Sequence, residues 1–160
     1  NYHTVATFSS GGPRWGDLAL KPEIAAPGVD IASAASGSTD GVAWFSGTSM
    51  ATPVVAGVAA LVKQANPKWT PALIKSALIN TAKSVGSNVL LRDVGAGRVN
   101  ALNAVKAKVT IDAGPNATMS FGVVYGDAAA TLTKSQKFIV KNNGTTTASY
   151  KFAAAAAAAA

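Results

Sequence analysis

Residues 47–57 read Gly47-Thr48-Ser49-Met50-Ala51-Thr52-Pro53-Val54-Val55-Ala56-Gly57, and this stretch decides the fold. From Met50 to Val62 every position is apolar except Thr52. Ala51, Val54, Val55, Val58, Val62 and Ala65 recur at helical spacing, yet the run is apolar nearly all round. That pattern predicts a helix over 48–65 buried on most faces inside a larger domain. Gly47 breaks the chain before it, and Asn66-Pro67 end it after Lys63 and Gln64. Ser49 therefore falls in the first turn, where unpaired backbone N–H groups meet the positive end of the helix dipole.

A hydroxyl there suits a nucleophile whose reaction develops an oxyanion. The N–H of Ser49 can face the new negative charge without any side chain moving. Gly47 admits substrate backbone, and the small Ala51 and Gly57 allow close packing of the helix. The plainer alternative is that Ser49 only caps a core helix, because hydroxyl residues favour that position.

The wording of the motif is more specific than its pattern. GTSMATPVVAG resembles the active-site serine signature of the subtilisin-like serine proteases, the subtilases. Phe8-Ser9-Ser10-Gly11-Gly12-Pro13 is similar to that family's Phe-Ser-Ser-x-Gly-Pro strand end. Lys21-Pro22-Glu23-Ile24-Ala25-Ala26-Pro27-Gly28-Val29 is similar to its Lys-Pro-Asp-Ile-x-Ala-Pro-Gly segment. The three blocks stand in the family's order, and the resemblance covers residues 4–107, favouring large extracellular members of the minor-extracellular-protease kind. It implies an α/β fold: the C-terminal part of a subtilisin-like parallel-sheet domain, with Ser49 as nucleophile. Ser46, Gly47 and Thr48 would line the oxyanion site and cleft.

Upstream, residues 4–9 read as a short strand that ends in a turn at Ser10–Pro13, and Trp15 and Leu18 read as core or loop cover, with assignment to the core preferred. Val29–Ala32 reads as a strand after the Pro27-Gly28 turn, and Val42–Phe45 as the strand that feeds the nucleophile helix. Downstream, Thr70-Pro71 is a helix start, with Leu73, Ile74, Ala77, Leu78 and Thr81 on one face as far as about Lys83. Asn100 caps a short helix that carries Leu102 and Val105.

From Lys108 the period changes to two: Val109 and Ile111, Phe121 and Val123, Phe138 and Val140, Tyr150 and Phe152. Asn143-Gly144 is a hairpin signal between two of these runs. This resembles the start of an all-β sandwich of the fibronectin-III kind, and such a sandwich needs about 100 residues. The division expected is 1–107 catalytic domain, 108–152 incomplete sandwich, and 153–160 an alanine tail with no assigned function. Asn116-Ala117-Thr118 and Asn143-Gly144-Thr145 match the glycosylation acceptor pattern, with chance as the default explanation.

A hydroxyl nucleophile needs a base, and the base needs an orienting group. The subtilase order is Asp, His, Ser, so both partners should precede Ser49. His3 is the one histidine in the chain, and its Tyr-His-Thr-Val-Ala setting lacks the family's His motif. Asp17, Asp30 and Asp40 likewise lie outside the family's Asp motif. The resemblance therefore implies a triad completed by Asp and His outside this chain. The expected partners are polypeptide substrates, together with upstream sequence or another chain completing the domain. The reading from another class is a non-catalytic structural or surface-adhesion component that keeps the fold.

Composition narrows the rest. The 160 residues are 49% hydrophobic with a net charge of +7, but the basic residues are scattered, so no nucleic-acid partner is expected. No cysteine is present, which excludes disulfides and thiolate metal sites. No apolar run reaches transmembrane length, and no acidic cluster has calcium-ligand spacing. The family often carries calcium, which the resemblance would place outside this chain. Secretion or display at the cell surface is the location that the resemblance implies.

Overall fold

The computed structural model of the chain describes residues 4–86, 89–114, 117–122, 131 and 133–153. In chain order the elements are β1 (Ile31–Ala34), β2 (Val42–Phe45), α1 (Thr48–Ala65), α2 (Pro71–Asn80), α3 (Leu91–Val94), α4 (Ala101–Lys106), β3 (Val109–Asp112) and β4 (Ile139–Asn142). The bounds of α1 are those its sequence pattern predicts, because the apolar run and its flanking stops are local signals.

The core is helical. Val58 and Val62 of α1 meet Trp69, Ala77 and Leu78 from the α2 region and Ala104 and Ala107 from the α4 region. Val62 is wholly enclosed, which contributes about 1.5–3 kcal/mol relative to an exposed side chain. Lys63 Nζ secures the far end of α1 by donating to the carbonyls of Pro67 and Trp69 at 2.7 and 3.0 Å. The opposite side of α1, with Pro53, Ala56, Gly57, Ala60 and Leu61, is exposed. Within the described residues α1 thus buries one stripe rather than most of its faces. Among the described residues, no atom outside the neighbouring turns of α1 lies within 4 Å of a Cβ built on Gly57, so close packing at that glycine is not seen there.

α2 begins as its sequence dictates, with Thr70 Oγ1 accepting from Leu73 N–H at 3.3 Å and Pro71 in the first turn. It ends at Asn80, short of the Lys83 expected. Thr81 turns its N–H and hydroxyl onto the Ala77 carbonyl, and Lys83 pairs with Arg98 in an antiparallel bridge. Asn100 caps α4 by accepting from Asn103 N–H at 3.2 Å, as expected. The four-residue α3 has no sequence signal of its own; it is too short to show a period.

The sheets differ from the expectation of a parallel sheet. β1 and β2 pair antiparallel, as do β3 and β4. The one parallel pairing among the described residues is the isolated bridge Ala25↔Arg98. Residues 4–9 form no strand, and Ser9 N–H closes a turn onto Ala6 O at 2.9 Å. Trp15 is 96% exposed, which corrects its assignment to the core, and Leu18 is half-buried.

The C-terminal segment also departs from its alternating pattern. β3 leans on α2, where Asn80 Oδ1 accepts from Ile111 N–H at 2.6 Å. Asn143-Gly144 does not turn the chain into a further strand. Asn143 instead folds back on β3, donating N–H to Lys108 O at 2.7 Å and Nδ2 to the buried Thr110 hydroxyl at 3.0 Å. That contact occupies the amide of one glycosylation sequence. Tyr150 and Phe152 stay exposed outside any strand, with the Phe152 ring 5.8 Å from that of Phe138. Val123 and Asn116 lie outside the described residues, as do alanines 154–160.

One ion cluster around the largely buried Glu23 side chain anchors the segment that runs toward Gly28. Lys21 and Lys75 Nζ both reach Glu23 Oε2, the latter at 2.8 Å. Burial of a charge needs such partners. Ala96 N–H donates to Glu23 O, and Ala25 exchanges bonds with Gly97 and Val99, so residues 23–25 are tied to both α2 and the 96–99 segment. From there the chain runs straight to Gly28.

Candidate active site

Ser49 occupies the second position of α1 and is exposed. The helix is capped by Gly47, which has extended backbone and offers no side-chain bond. Ser49 therefore does not cap the helix. Its hydroxyl and its N–H both lack a hydrogen-bond partner among the described residues. The adjacent amides are turned inward: Met50 and Ala51 N–H both reach Gly47 O, at 3.0 and 3.3 Å. A free hydroxyl beside a free amide at a helix N-terminus is the combination an acyl-transfer nucleophile requires. A Cβ on Gly47 would stand 3.7 Å from the Ser49 nitrogen, at the edge of the space an oxyanion would enter.

Pro53 shapes the same turn. It has no N–H to return to the Ser49 carbonyl, so one rung of α1 is missing directly behind the serine. The Thr52 hydroxyl donates to Thr48 O at 3.0 Å in the same turn, a contact that bends helices.

The turn is held from outside by residues 28–30. The β1–β2 register pairs Ile31 with Phe45 and, continued, would set Val29 opposite Gly47. Gly47 N–H instead reaches Gly28 O at 2.7 Å, one residue further on. An extra residue is thus inserted on the 28–30 side, and Asp30 adopts φ 50°. Such a bulge increases the local twist and re-aims the residues beside it. Asp30 N–H donates to Ser46 Oγ at 2.8 Å, and Ser46 Oγ–H donates back to Asp30 Oδ1 at 3.2 Å. Of the candidate cleft residues, Gly47 and Thr48 flank Ser49 directly, while the Ser46 hydroxyl is engaged with Asp30. Gly28 and Asp30 do not stand out in the sequence as site residues. The Pro27-Gly28 break opposite a hydroxyl at position 46 is the signal that marks them.

His3 lies outside the described residues. Among those described, no carboxylate contacts Ser49. The carboxylates with displaced pKa values are elsewhere: Asp17 is held well below the usual range by its hydrogen bonds to Arg14, and Asp112 is lowered by Lys141. A cavity of about 250 Å³ lined by Asp17, Thr118, Ser120 and Gln136 includes no residue of the Ser49 turn. No group of three or more His, Cys, Asp or Glu able to hold a metal occurs among the described residues.

The model of the subtilase family, Peptidase_S8, matches residues 1–97. The chain belongs to the subtilase family. This subtilase chain is 40% identical over 158 residues to subtilisin-like protease SBT3.2 of Arabidopsis thaliana, covering 86% of the chain and 22% of that protein. It is 36% identical over 154 residues to minor extracellular protease Vpr of Bacillus subtilis (strain 168), covering 91% and 19% respectively. The chain thus spans about a fifth of the length of these relatives. Of solved structures, the patellamide maturation protease PatA is similar at 35% identity and a TM-score of 0.46, over 60% of this chain and 38% of that one. Residues 1–97 are therefore part of a subtilase-fold domain. No helix among the described residues is long and apolar enough to cross a membrane.

Proposed function

We propose that this subtilase chain carries the nucleophile of a serine endopeptidase. Ser49 attacks the scissile carbonyl of a polypeptide and its own N–H receives the oxyanion. The acyl-enzyme on Ser49 is then hydrolysed. Asp and His from outside the chain orient and move the proton. Gly47 and Thr48 border the reacting carbonyl, and Ser46 lines the cleft through its backbone while its hydroxyl stays on Asp30. The protein acts outside the cell or at its surface. Residues 108–152 begin a second, β-rich unit of the fibronectin-III kind.

One observation carries this reading: at Ser49 an exposed hydroxyl and an adjacent N–H both lack a partner among the described residues, at the start of α1 and inside the family's signature. A serine that only capped the helix would have its oxygen on a backbone N–H of the first turn. The test uses the full-length protein that contains this chain. A fluorophosphonate probe labels Ser49, and Ser49→Ala abolishes both labelling and hydrolysis of an unselective peptide. Residues 1–152 alone do not turn over that peptide, because no described group can serve Ser49 as base. Unchanged hydrolysis by Ser49→Ala would refute the assignment. A wild-type full-length protein that is neither labelled nor active would favour the structural or adhesion role.

A further inference from the structure

Catalysis by a serine at a helix start depends on where that start points, and α1 does little to fix its own first turn. Gly47 supplies no side-chain cap, and the rung from residue 53 to Ser49 is absent because residue 53 is proline. Two kinds of contact from residues 28–30 remain. The Gly28–Gly47 bond is main-chain only and needs the bare backbone of glycine at 28 for its close approach. The Asp30–Ser46 contact is written in side chains.

We propose that Asp30 and Ser46 form a positioning pair whose reciprocal hydrogen bonds fix the bulge that aims Ser49. The pair rests on the reading of Ser49 as nucleophile, and it touches neither substrate nor the reacting atoms. Each partner has a chemically specific task. Ser46 Oγ accepts from Asp30 N–H at 2.8 Å and donates its single proton to Asp30 Oδ1 at 3.2 Å, which fixes the hydroxyl rotor. Asp30 must hold φ 50°, where Asp and Asn are tolerated and most residues are strained. Ser46 is bonded directly to Gly47, the cap of α1, so a shift at 46 passes through one peptide to the turn that carries Ser49. The pair is exposed, so its loss leaves the helical core of Val58, Val62 and Trp69 intact.

Four variants of the full-length protein test this: Ser46→Ala, Asp30→Gly, Asp30→Asn and Ser49→Ala as reference. Asp30→Gly keeps the backbone conformation and N–H but removes the acceptor. Asp30→Asn keeps both the conformation and an oxygen that can accept from Ser46. Because a misplacement of about 1 Å can cost about 100-fold in rate, a partial release of the turn should lower kcat about tenfold. Ser46→Ala and Asp30→Gly should each show that loss, in kcat and in the rate of fluorophosphonate labelling, with KM within about twofold. Asp30→Asn should restore kcat to within about threefold of the wild type. The proposal is overturned if Ser46→Ala and Asp30→Gly keep wild-type kcat, or if Asp30→Asn is as damaged as Asp30→Gly. It is also overturned if the loss of rate simply tracks the fraction of protein unfolded in a thermal melt. Ser49→Ala separates the two readings: if that variant still hydrolyses peptide, the nucleophile assignment fails and the pair fails with it.

Discussion

Replacing Gly28 by alanine is the sharpest single perturbation of the turn that carries Ser49. A Cβ built there stands 2.8 Å from Gly47 O, 3.2 Å from Ala51 Cβ and 3.5 Å from Ala51 N. The first distance is about 0.6 Å short of the 3.4 Å at which ordinary contact begins, and the obstacle is backbone. Gly28 lies outside the left-handed region, so alanine meets a space problem alone. The strain can be relieved by retreat of the 28–30 loop or of the turn at 47–51, and either lengthens the 2.7 Å Gly47–Gly28 hydrogen bond. With rate falling about 100-fold per ångström of misplacement, a shift of about 0.6 Å corresponds to about a fifteenfold loss. Overpacking of this size also costs about 1–3 kcal/mol of stability. The assay is the second-order rate of fluorophosphonate labelling of Ser49 in the full-length protein, with kcat measured in parallel below the melting transition. A Gly28→Ala protein that labels at the wild-type rate would refute the claim that residues 28–30 hold the turn.

Packing and charge set two further outcomes. Val62→Ala removes two methyl groups from a wholly enclosed site and should cost about 2–3 kcal/mol, read as a lowered thermal midpoint of the full-length protein. The Lys141 ammonium bonded to Asp112 Oδ2 at 2.8 Å holds that carboxyl below its ordinary value. Its contribution to stability is therefore complete above the ordinary carboxylate pKa of 3.8 and is lost as pH falls through the lower folded value. Melts taken from about pH 6 to about pH 2 should show Lys141→Met flattening that acid limb while leaving Ser49 labelling unchanged.

The helices are legible in the sequence because their signals are local. The apolar run and its stops define α1 to the residue, while Thr70-Pro71 and Asn100 mark the starts of α2 and α4 through caps that need only the next three residues. Strands are legible where a partner segment exists, near or far: the alternations at Val109 and Ile111 and at Phe138 and Val140 meet as β3 and β4 across a long separation. Val42–Phe45 reads correctly as a strand, and it pairs with β1 a short loop away. Residues 4–9 carry a similar composition but form a turn rather than a strand, with Ser9 N–H on Ala6 O. Trp15 shows the same limit for burial: an aromatic side chain is core only if something packs over it. At Asn143-Gly144 the turn signal is real, but a buried Thr110 hydroxyl competes for the asparagine and draws the chain back to β3. At the site, Ser49 can be found from its motif. Asp30 cannot, since its importance comes from an inserted residue in a register that only the folded pairing reveals.

Pro53 gives Ser49 a form of mechanical insulation. A continuous helix transmits a tilt or rotation of its core face to its first residue through successive rungs. Here the rung that would tie residue 53 to Ser49 is absent, and the serine takes its bearing from residues 28–30 instead. The cluster around Val58, Val62 and Trp69 can therefore exchange one apolar side chain for another, with the small helix shifts such changes bring, while the aim of Ser49 stays set by a different part of the chain. Stability and catalytic geometry then answer to separate sets of residues on the same helix, and mutation can explore the one without detuning the other.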